Sequence, residues 1–206
     1  MHIFDIMPLI QAIGLVGIFL FIFAESGLFF GFFLPGDSLL FTAGILASAG
    51  YFNIAFLVFG SFVCAVLGDS FGYYFGKKIG PKIFSRPNSF FWNKNNIEKT
   101  TRFFKKYGDK TITLARFVPI VRTFAPIMAG VGKMEYKTFF FWNVLGGAFW
   151  TGSMALSGYF LGSYIKNIDK YILPIILVII IISFIPVLIQ FTRKTKKNGE
   201  NEGDIV

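Results

Sequence analysis

Two arginines, Arg116 and Arg122, lie inside an apolar stretch that runs from Thr111 to Gly132. A guanidinium group stays charged at any physiological pH, and a charge at bilayer depth costs about 2.5–3.5 kcal/mol even on the mildest insertion scales. Guanidinium groups form paired hydrogen bonds with phosphate and carboxylate oxygens. The stretch therefore predicts a site for a phosphate or carboxylate group within the membrane. The alternative is that both arginines lie at the membrane edge and extend toward lipid headgroups.

The prolines beside these arginines predict a broken helix. Pro119 lies between the two arginines and Pro126 follows them, and proline removes a backbone donor and interrupts a helix. Non-helical backbone is tolerated at membrane depth only where protein or a water-filled cavity covers it. We therefore predict a re-entrant segment, which enters and leaves the membrane on one side, at residues 111–132, with helix breaks at both prolines.

Carboxyl groups occupy an earlier apolar stretch. Glu25 interrupts that stretch, and Asp37 follows Pro35 and Gly36, which predicts another re-entrant segment at about residues 21–50 with its break at the Pro-Gly pair. A buried carboxyl group beside an arginine can take up and release a proton as its partner comes and goes. Glu25 and Asp37 are therefore candidates for coupling to protons or sodium. The alternatives are structural salt bridges to the arginines and, for Asp37, a helix N-cap.

Composition predicts an all-α integral membrane protein. Hydrophobic residues make up 54% of the 206-residue chain, and the mean hydropathy is +0.64. The apolar runs are continuous rather than alternating, which indicates helices and not a barrel. Spanning helices are predicted at Ile54–Gly76, Phe139–Tyr164 and Ile172–Phe191. One membrane domain then covers residues 1–192, and residues 193–206 form a polar tail.

The net charge of +9 is concentrated in two segments. The segment 77–110 carries ten Lys and Arg residues against two acidic residues, and more basic residues follow the last apolar run. The positive-inside rule places both segments in the cytoplasm, where the first is expected to contact anionic lipid headgroups rather than nucleic acid. Because two spanning helices separate the segment 111–132 from the tail, that segment must open to the cytoplasm. The side of the N-terminus stays open.

Three groups of residues recur at one offset of 86 residues, which predicts an internal repeat. They are Ala43-Gly44 with Ala129-Gly130, Gly60 with Gly146, and Gly72-Tyr73-x-x-Gly76 with Gly158-Tyr159-x-x-Gly162. Each half is then a broken segment followed by a spanning helix, and the two helices cross in opposite directions. Inverted repeats of this kind build transporters whose site lies near the midplane, where the halves meet. This arrangement would bring the carboxyl groups and the arginines together.

These elements resemble the DedA family, also known as the SNARE-associated or VTT domain family. The matching stretches are FAESGLFFGFFLPGDSLL (Phe23–Leu40), GDSFGYYFGKKIG (Gly68–Gly80) and ARFVPIVRTFAPIMAG (Ala115–Gly130). The resemblance implies two facing re-entrant loops and, in bacterial members, translocation of undecaprenyl phosphate or phospholipid across the inner membrane. Eukaryotic relatives behave as lipid scramblases. The functional acidic pair of the family maps onto Glu25 and Asp37. Its arginine pair maps onto Arg116 and Arg122.

The residues available exclude most enzyme classes. The chain has one histidine, His2, and one cysteine, Cys64, so phosphohistidine chemistry and a zinc centre lack ligands. An intramembrane aspartyl protease needs two facing aspartates, and although Asp37 and Asp69 are candidates, Asp69 is expected near the cytoplasmic end of its helix. We therefore expect no enzymatic activity, no catalytic residue, no metal and no cofactor.

The expected function is movement of an anionic lipid phosphate between leaflets, coupled to a proton or sodium gradient, with undecaprenyl phosphate as the leading candidate. Arg116 and Arg122 would bind the phosphate, while Glu25 and Asp37 would couple the movement to the ion or gate the cavity. The alternatives are a phospholipid scramblase and a proton-dependent transporter of ions or small molecules. A scaffold without transport activity would leave both charge pairs unexplained. All of these functions are compatible with a homo-oligomer.

Overall fold

The computed structural model describes residues 6–28, 35–83, 108 and 110–165. The predicted span Ile172–Phe191, the polar tail and most of the basic segment lie outside these residues. The described residues form six helices joined by turns, with no strand among them. The helices are α1 (Ile6–Gly27), α2 (Gly36–Ser48), α3 (Ile54–Ile83), α4 (Thr111–Ala115), α5 (Pro119–Val131) and α6 (Tyr136–Tyr164). The predicted all-helical architecture is confirmed for this part of the chain.

The helices differ in whether they could cross a membrane. Within the described residues, one segment, Ile54–Lys78 of α3, is long and apolar enough to span a bilayer by length and composition. Helices α2 and α5 contain 13 residues each, which corresponds to about 20 Å against a hydrocarbon core of about 30 Å. Helix α6 is present where a span was predicted and has 29 residues, but its composition alone does not mark it as a span.

The chain breaks between α4 and α5, beside Arg116. Val118 has extended dihedral angles, φ −113° and ψ 108°, and Pro119 is the first residue of α5. The residue before a proline is forced out of the helical region, whereas a proline at the first helical position loses no hydrogen bond. The local sequence therefore ends one helix and starts the next at this point.

Pro126 was predicted to interrupt the helix, but α5 continues through it to Val131. The missing N–H group removes one hydrogen bond, to the carbonyl group of Arg122. Pro126 is buried against α3, where a Cβ atom on Gly72 would lie 3.6 Å from the Pro126 Cβ atom. Packing between membrane helices tolerates one lost backbone bond, and the helix is retained.

The two halves of the chain exchange their short helices. Helix α2 packs on α6 and α5 packs on α3. A Cβ atom on Gly44 would lie 2.2 Å from the carbonyl oxygen of Ala155 and 3.0 Å from the amide nitrogen of Tyr159, and one on Gly130 would lie 2.0 Å from the carbonyl oxygen of Tyr73. Tyr73 and Tyr159 are themselves 86 residues apart. The offset found in the sequence therefore reappears in the contacts between helices.

Helices α1 and α3 approach closely at a pair of glycines. A Cβ atom on Gly27 would lie 2.9 Å from the carbonyl oxygen of Gly68, and one on Gly68 would lie 2.7 Å from the carbonyl oxygen of Phe23. Small residues allow this backbone contact between membrane helices. The crossing brings the last turn of α1, which carries Glu25 and Ser26, alongside Asp69 of α3.

Candidate functional site

Arg122 in α5 lies between the two carboxyl groups predicted from the sequence. Its Nη1 atom donates to Oδ1 of Asp37 at 2.6 Å, and its Nη2 atom donates to Oε1 of Glu25. These partners are 85 and 97 residues away along the chain. The Glu25 side chain is 1% exposed and that of Arg122 is 11% exposed, whereas Asp37 is 38% exposed. Three helices, α1, α2 and α5, thus meet at one guanidinium group.

Gly36 provides the space that Glu25 occupies. The Gly36 N–H group donates to Oε1 of Glu25 at 3.0 Å, and a Cβ atom on Gly36 would lie 1.5 Å from the other carboxylate oxygen. Gly36 is also the first residue of α2, and the N-terminus of a helix favours an anion. Asp37 follows as the second residue of α2, without a side-chain capping bond. The alternative that Asp37 is an N-cap is therefore wrong, because its carboxylate is bound by side chains of other helices.

Trp150 of α6 completes what we term the Arg122 cluster, formed by Glu25, Asp37, Arg122 and Trp150. The Trp150 Nε1 atom donates to Oδ1 of Asp37 at 2.6 Å, and the Arg122 guanidinium carbon lies 5.1 Å from the centre of its ring. This is the geometry of a cation–π contact. Sequence reasoning missed Trp150 because a tryptophan in an apolar helix is ordinary packing.

Arg116 belongs to a separate and more deeply buried group. Its Nη2 atom donates to Oδ2 of Asp69 in α3 and to Oδ1 of Asn143 in α6, and lies 3.4 Å from the carbonyl oxygen of Ala65. The side chains of Arg116 and Asp69 are 5% and 4% exposed. A Cβ atom on Gly146 would lie 2.9 Å from Cδ of Arg116, so this glycine leaves room for the side chain. We term Asp69, Arg116 and Asn143 the Arg116 cluster.

The two arginines therefore have different carboxylate partners. We predicted that both would face Glu25 and Asp37, but among the described residues the ion pair of Arg116 is with Asp69. The expectation that Asp69 lies near a helix end is also wrong, since α3 continues to Ile83 and Asp69 is in its middle. A signal existed in the sequence: Asp69 and Asn143 are polar residues within apolar runs, and buried polar groups need partners.

A small cavity lies between the two clusters. Its lining includes Ser26, Asp69, Arg116, Arg122 and Trp150, and its volume is about 10 Å³. That volume is about the minimum needed for one water molecule, so a phosphate group does not fit while the carboxylates hold the arginines. No group of three or more His, Cys, Asp or Glu side chains within the described residues could hold a metal ion. The structure thus places two guanidinium groups beside one small cavity, each paired with carboxylates of this chain.

Comparison with known proteins gives one family. The family model described as the VTT domain matches residues 34–160. The Escherichia coli protein named Protein DedA is 43% identical over 178 residues, which cover 85% of this chain and 81% of that protein. An uncharacterized membrane protein of Mycobacterium tuberculosis is 42% identical over 181 residues, covering 87% of this chain and 79% of its own length. An uncharacterized membrane protein of Mycobacterium leprae is 43% identical over 168 residues, covering 82% and 75%. No solved structure matches this chain.

Proposed function

This chain belongs to the DedA family of VTT-domain membrane proteins, and we propose that it is a transporter that moves an anionic lipid phosphate between the leaflets of the bacterial inner membrane. Such a protein is a carrier and not an enzyme, because the lipid leaves chemically unchanged. The relatives are named as membrane proteins, which supports the location. Undecaprenyl phosphate is the leading candidate for the lipid.

The observation that carries the proposal is the pair of buried arginines that line one cavity while carboxylates occupy them. A phosphate presents the same kind of oxygen acceptors to a guanidinium group as a carboxylate does. Phosphate oxygens would therefore bind in place of the carboxylate oxygens that now accept hydrogen bonds from Arg116 and Arg122. A transporter of small cations would need the carboxylates but would leave both arginines without a ligand.

Glu25 and Asp37 are proposed to couple the movement to protons or sodium, because they are the two carboxylates that Arg122 would release when a phosphate binds. Both sit at the start of α2 or against it, so their release would also free this short helix from α5. Coupling and gating are thus two results of the same exchange. The basic segment 77–110 would hold the cytoplasmic face against anionic lipid headgroups.

The topology proposed for this function is an inverted repeat. Helices α2 and α5 would be the inner parts of re-entrant segments that open to opposite sides, and the C-terminus and the segment 77–110 would be cytoplasmic. The exchanged packing of α2 on α6 and of α5 on α3 supports a repeat, and the short length of both helices agrees with segments that do not cross the bilayer.

Reconstitution tests the function. Purified protein in liposomes is given fluorescent polyprenyl phosphate or, separately, fluorescent phosphatidylglycerol, and dithionite quenching reports the leaflet, with and without a pH gradient. We expect faster movement of the polyprenyl phosphate and a stimulation by the gradient. Arg116→Ala and Arg122→Ala should each reduce the rate about 10- to 100-fold, since a hydrogen bond to a charged group contributes about 1.5–3 kcal/mol. Lys137→Ala, at an exposed basic residue of α6, is the control.

Lysine at either arginine position should restore little activity, because a point charge does not reproduce the planar donor pair. Full activity in both alanine variants, with normal insertion and size-exclusion profiles, would refute the proposed phosphate site. Faster movement of phosphatidylglycerol than of polyprenyl phosphate would instead favour the scramblase alternative.

A further inference from the structure

Asp69 is a buried acidic residue to which the proposed transport has so far given no role. We propose that Asp69 is an internal anion that occupies Arg116 in the empty transporter, and that it exchanges its place on Arg116 for a lipid phosphate while taking up one proton. This inference rests on the proposed function, and it names a third carboxylate as part of the coupling.

The cavity supplies the first support. Asp69 and Arg116 both line it, together with Arg122 and Trp150 of the Arg122 cluster. A phosphate that enters between the two arginines would therefore meet the Asp69 carboxylate directly. Because the cavity holds about one water molecule, the phosphate gains its space only when a carboxylate moves away from its arginine.

Asn143 supplies the second support, because it would keep Arg116 in place during the exchange. Its Oδ1 atom accepts from Arg116 Nη2, and its own Nδ2 atom donates to the carbonyl oxygen of Val66 at 3.1 Å. The amide is thus fixed between α3 and α6. The Nε atom of Arg116 has no hydrogen-bond partner among the described residues, so the guanidinium group retains a donor for an incoming oxygen.

The charge balance supplies the third support. Asp69, Arg116 and Arg122 line the cavity, and Glu25 from α1 and Asp37 from α2 are the ion-pair partners of Arg122. When all are ionised, three carboxylates face two guanidinium groups, which leaves one excess negative charge. An anionic phosphate would add to this excess in a buried site, where uncompensated charge is strongly unfavourable. One proton bound per phosphate offsets one unit of the added negative charge.

Asp69 is the carboxylate best placed to take that proton. Glu25 also accepts from the N–H group of Gly36, and Asp37 also accepts from Trp150. Each of these two keeps a donor when Arg122 turns to a phosphate. Among the described residues, the donor shown for Asp69 is Arg116. Its carboxylate would therefore lose this donor and bind one proton from the bulk solution, while no bond in the lipid is made or broken.

Binding of farnesyl phosphate in detergent, measured by thermophoresis between pH 5.5 and 8.5, tests the inference without requiring translocation. Uptake of one proton per phosphate makes the affinity of the wild type rise about tenfold for each unit of falling pH, by linkage. At high pH, the Asp69→Asn variant should bind farnesyl phosphate at least as tightly as the wild type does. Its affinity should lack the tenfold rise per pH unit that the wild type gains from proton uptake by Asp69. Titration of the probe itself is common to both proteins and cancels. Asp69→Glu should restore the dependence, and Glu135→Gln, at an exposed acid, should leave it unchanged.

Proton uptake by unbuffered wild-type protein on addition of farnesyl phosphate provides a second measurement, which stands even if Asp69→Asn does not fold. About one proton more per bound ligand than the ligand takes up alone supports the exchange. No extra uptake, equal pH dependence in the wild type and folded Asp69→Asn, or loss of binding in folded Asp69→Asn would each overturn it. In those cases translocation by the wild type would still stand as evidence for the proposed function. A wild type that neither binds nor moves any lipid phosphate would overturn both.

Discussion

Replacing Gly36 with alanine should displace the Glu25 carboxylate from Arg122. The added Cβ atom would lie 1.5 Å from Oε2 and 2.4 Å from Cδ of Glu25, and Glu25 is buried, so the two groups cannot coexist in their present positions. The change would remove the hydrogen bond from the Gly36 N–H group and one of the two ion pairs of Arg122. Breaking a buried charge pair costs about 3–5 kcal/mol. For a chain of this size, about 2–4 °C of Tm is lost per kcal/mol, so we expect Tm to fall by about 6–20 °C.

Scanning fluorimetry of the purified protein in detergent measures this change. Gly152→Ala in α6 is the matched control, because no atom lies within 4 Å of the added Cβ atom and alanine is favoured over glycine in a helix by about 1 kcal/mol. In a Glu25→Ala background, Gly36→Ala should have little further effect, since the clashing carboxylate is absent. An equal fall in Tm in both backgrounds would show that the cost does not arise from Glu25, and an unchanged Tm in the single variant would refute the contact itself.

Two further predictions concern the repeat. In Gly44→Ala and Gly130→Ala, the new Cβ atom would lie 2.2 and 2.0 Å from a carbonyl oxygen of the facing long helix. Each variant should therefore lower the free energy of unfolding by about 1–3 kcal/mol or more, whereas Gly152→Ala should not. A neutral effect of one variant beside a destabilising effect of the other would show that the halves do not pack equivalently. Single cysteines are placed at the exposed positions Ala55 and Lys137 in a chain without its native cysteine. Because the inverted topology starts α3 and α6 on opposite sides, an impermeant thiol reagent should label Ala55→Cys from outside the cell and Lys137→Cys only from inside. Labelling of both from one side of intact cells would exclude that topology.

Local rules predicted the helix ends near prolines. Pro35 precedes α2 and Pro119 begins α5, because proline fixes its own φ angle and lacks a donor whatever surrounds it. The same rule failed at Pro126, where burial against α3 outweighs one missing hydrogen bond. The meeting of Arg122 with Glu25 and Asp37 was expected from the repeat and from the family resemblance, both of which carry information over long distances in the chain.

The Arg116 cluster could not be predicted in the same way. Asp69 and Arg116 are 47 residues apart, and their contact depends on how α3 lies against the break that follows α4. No periodicity or local propensity specifies that arrangement. The offset of 86 residues does not help either, since neither Asp69 nor Arg116 has a charged counterpart in the other half. The polar residues within the apolar runs, which need hydrogen-bond partners when they are buried, include Asp69 and Asn143. They were therefore identifiable from the sequence as candidate partners of Arg116.

The exchange of short helices between the halves has a consequence for biosynthesis. When α2 leaves the ribosome, the surface that it covers in the finished protein, around Ala155 of α6, has not yet been made. Likewise, the face of α3 that α5 covers stays exposed until α5 has been synthesised. The first half must therefore reside at the insertion machinery or in the bilayer with α1 packed on α3 but with a glycine-lined face uncovered until the second half arrives. Neither half contains both partners of these contacts, so the packing of α2 on α6 can form only after α6 has been inserted.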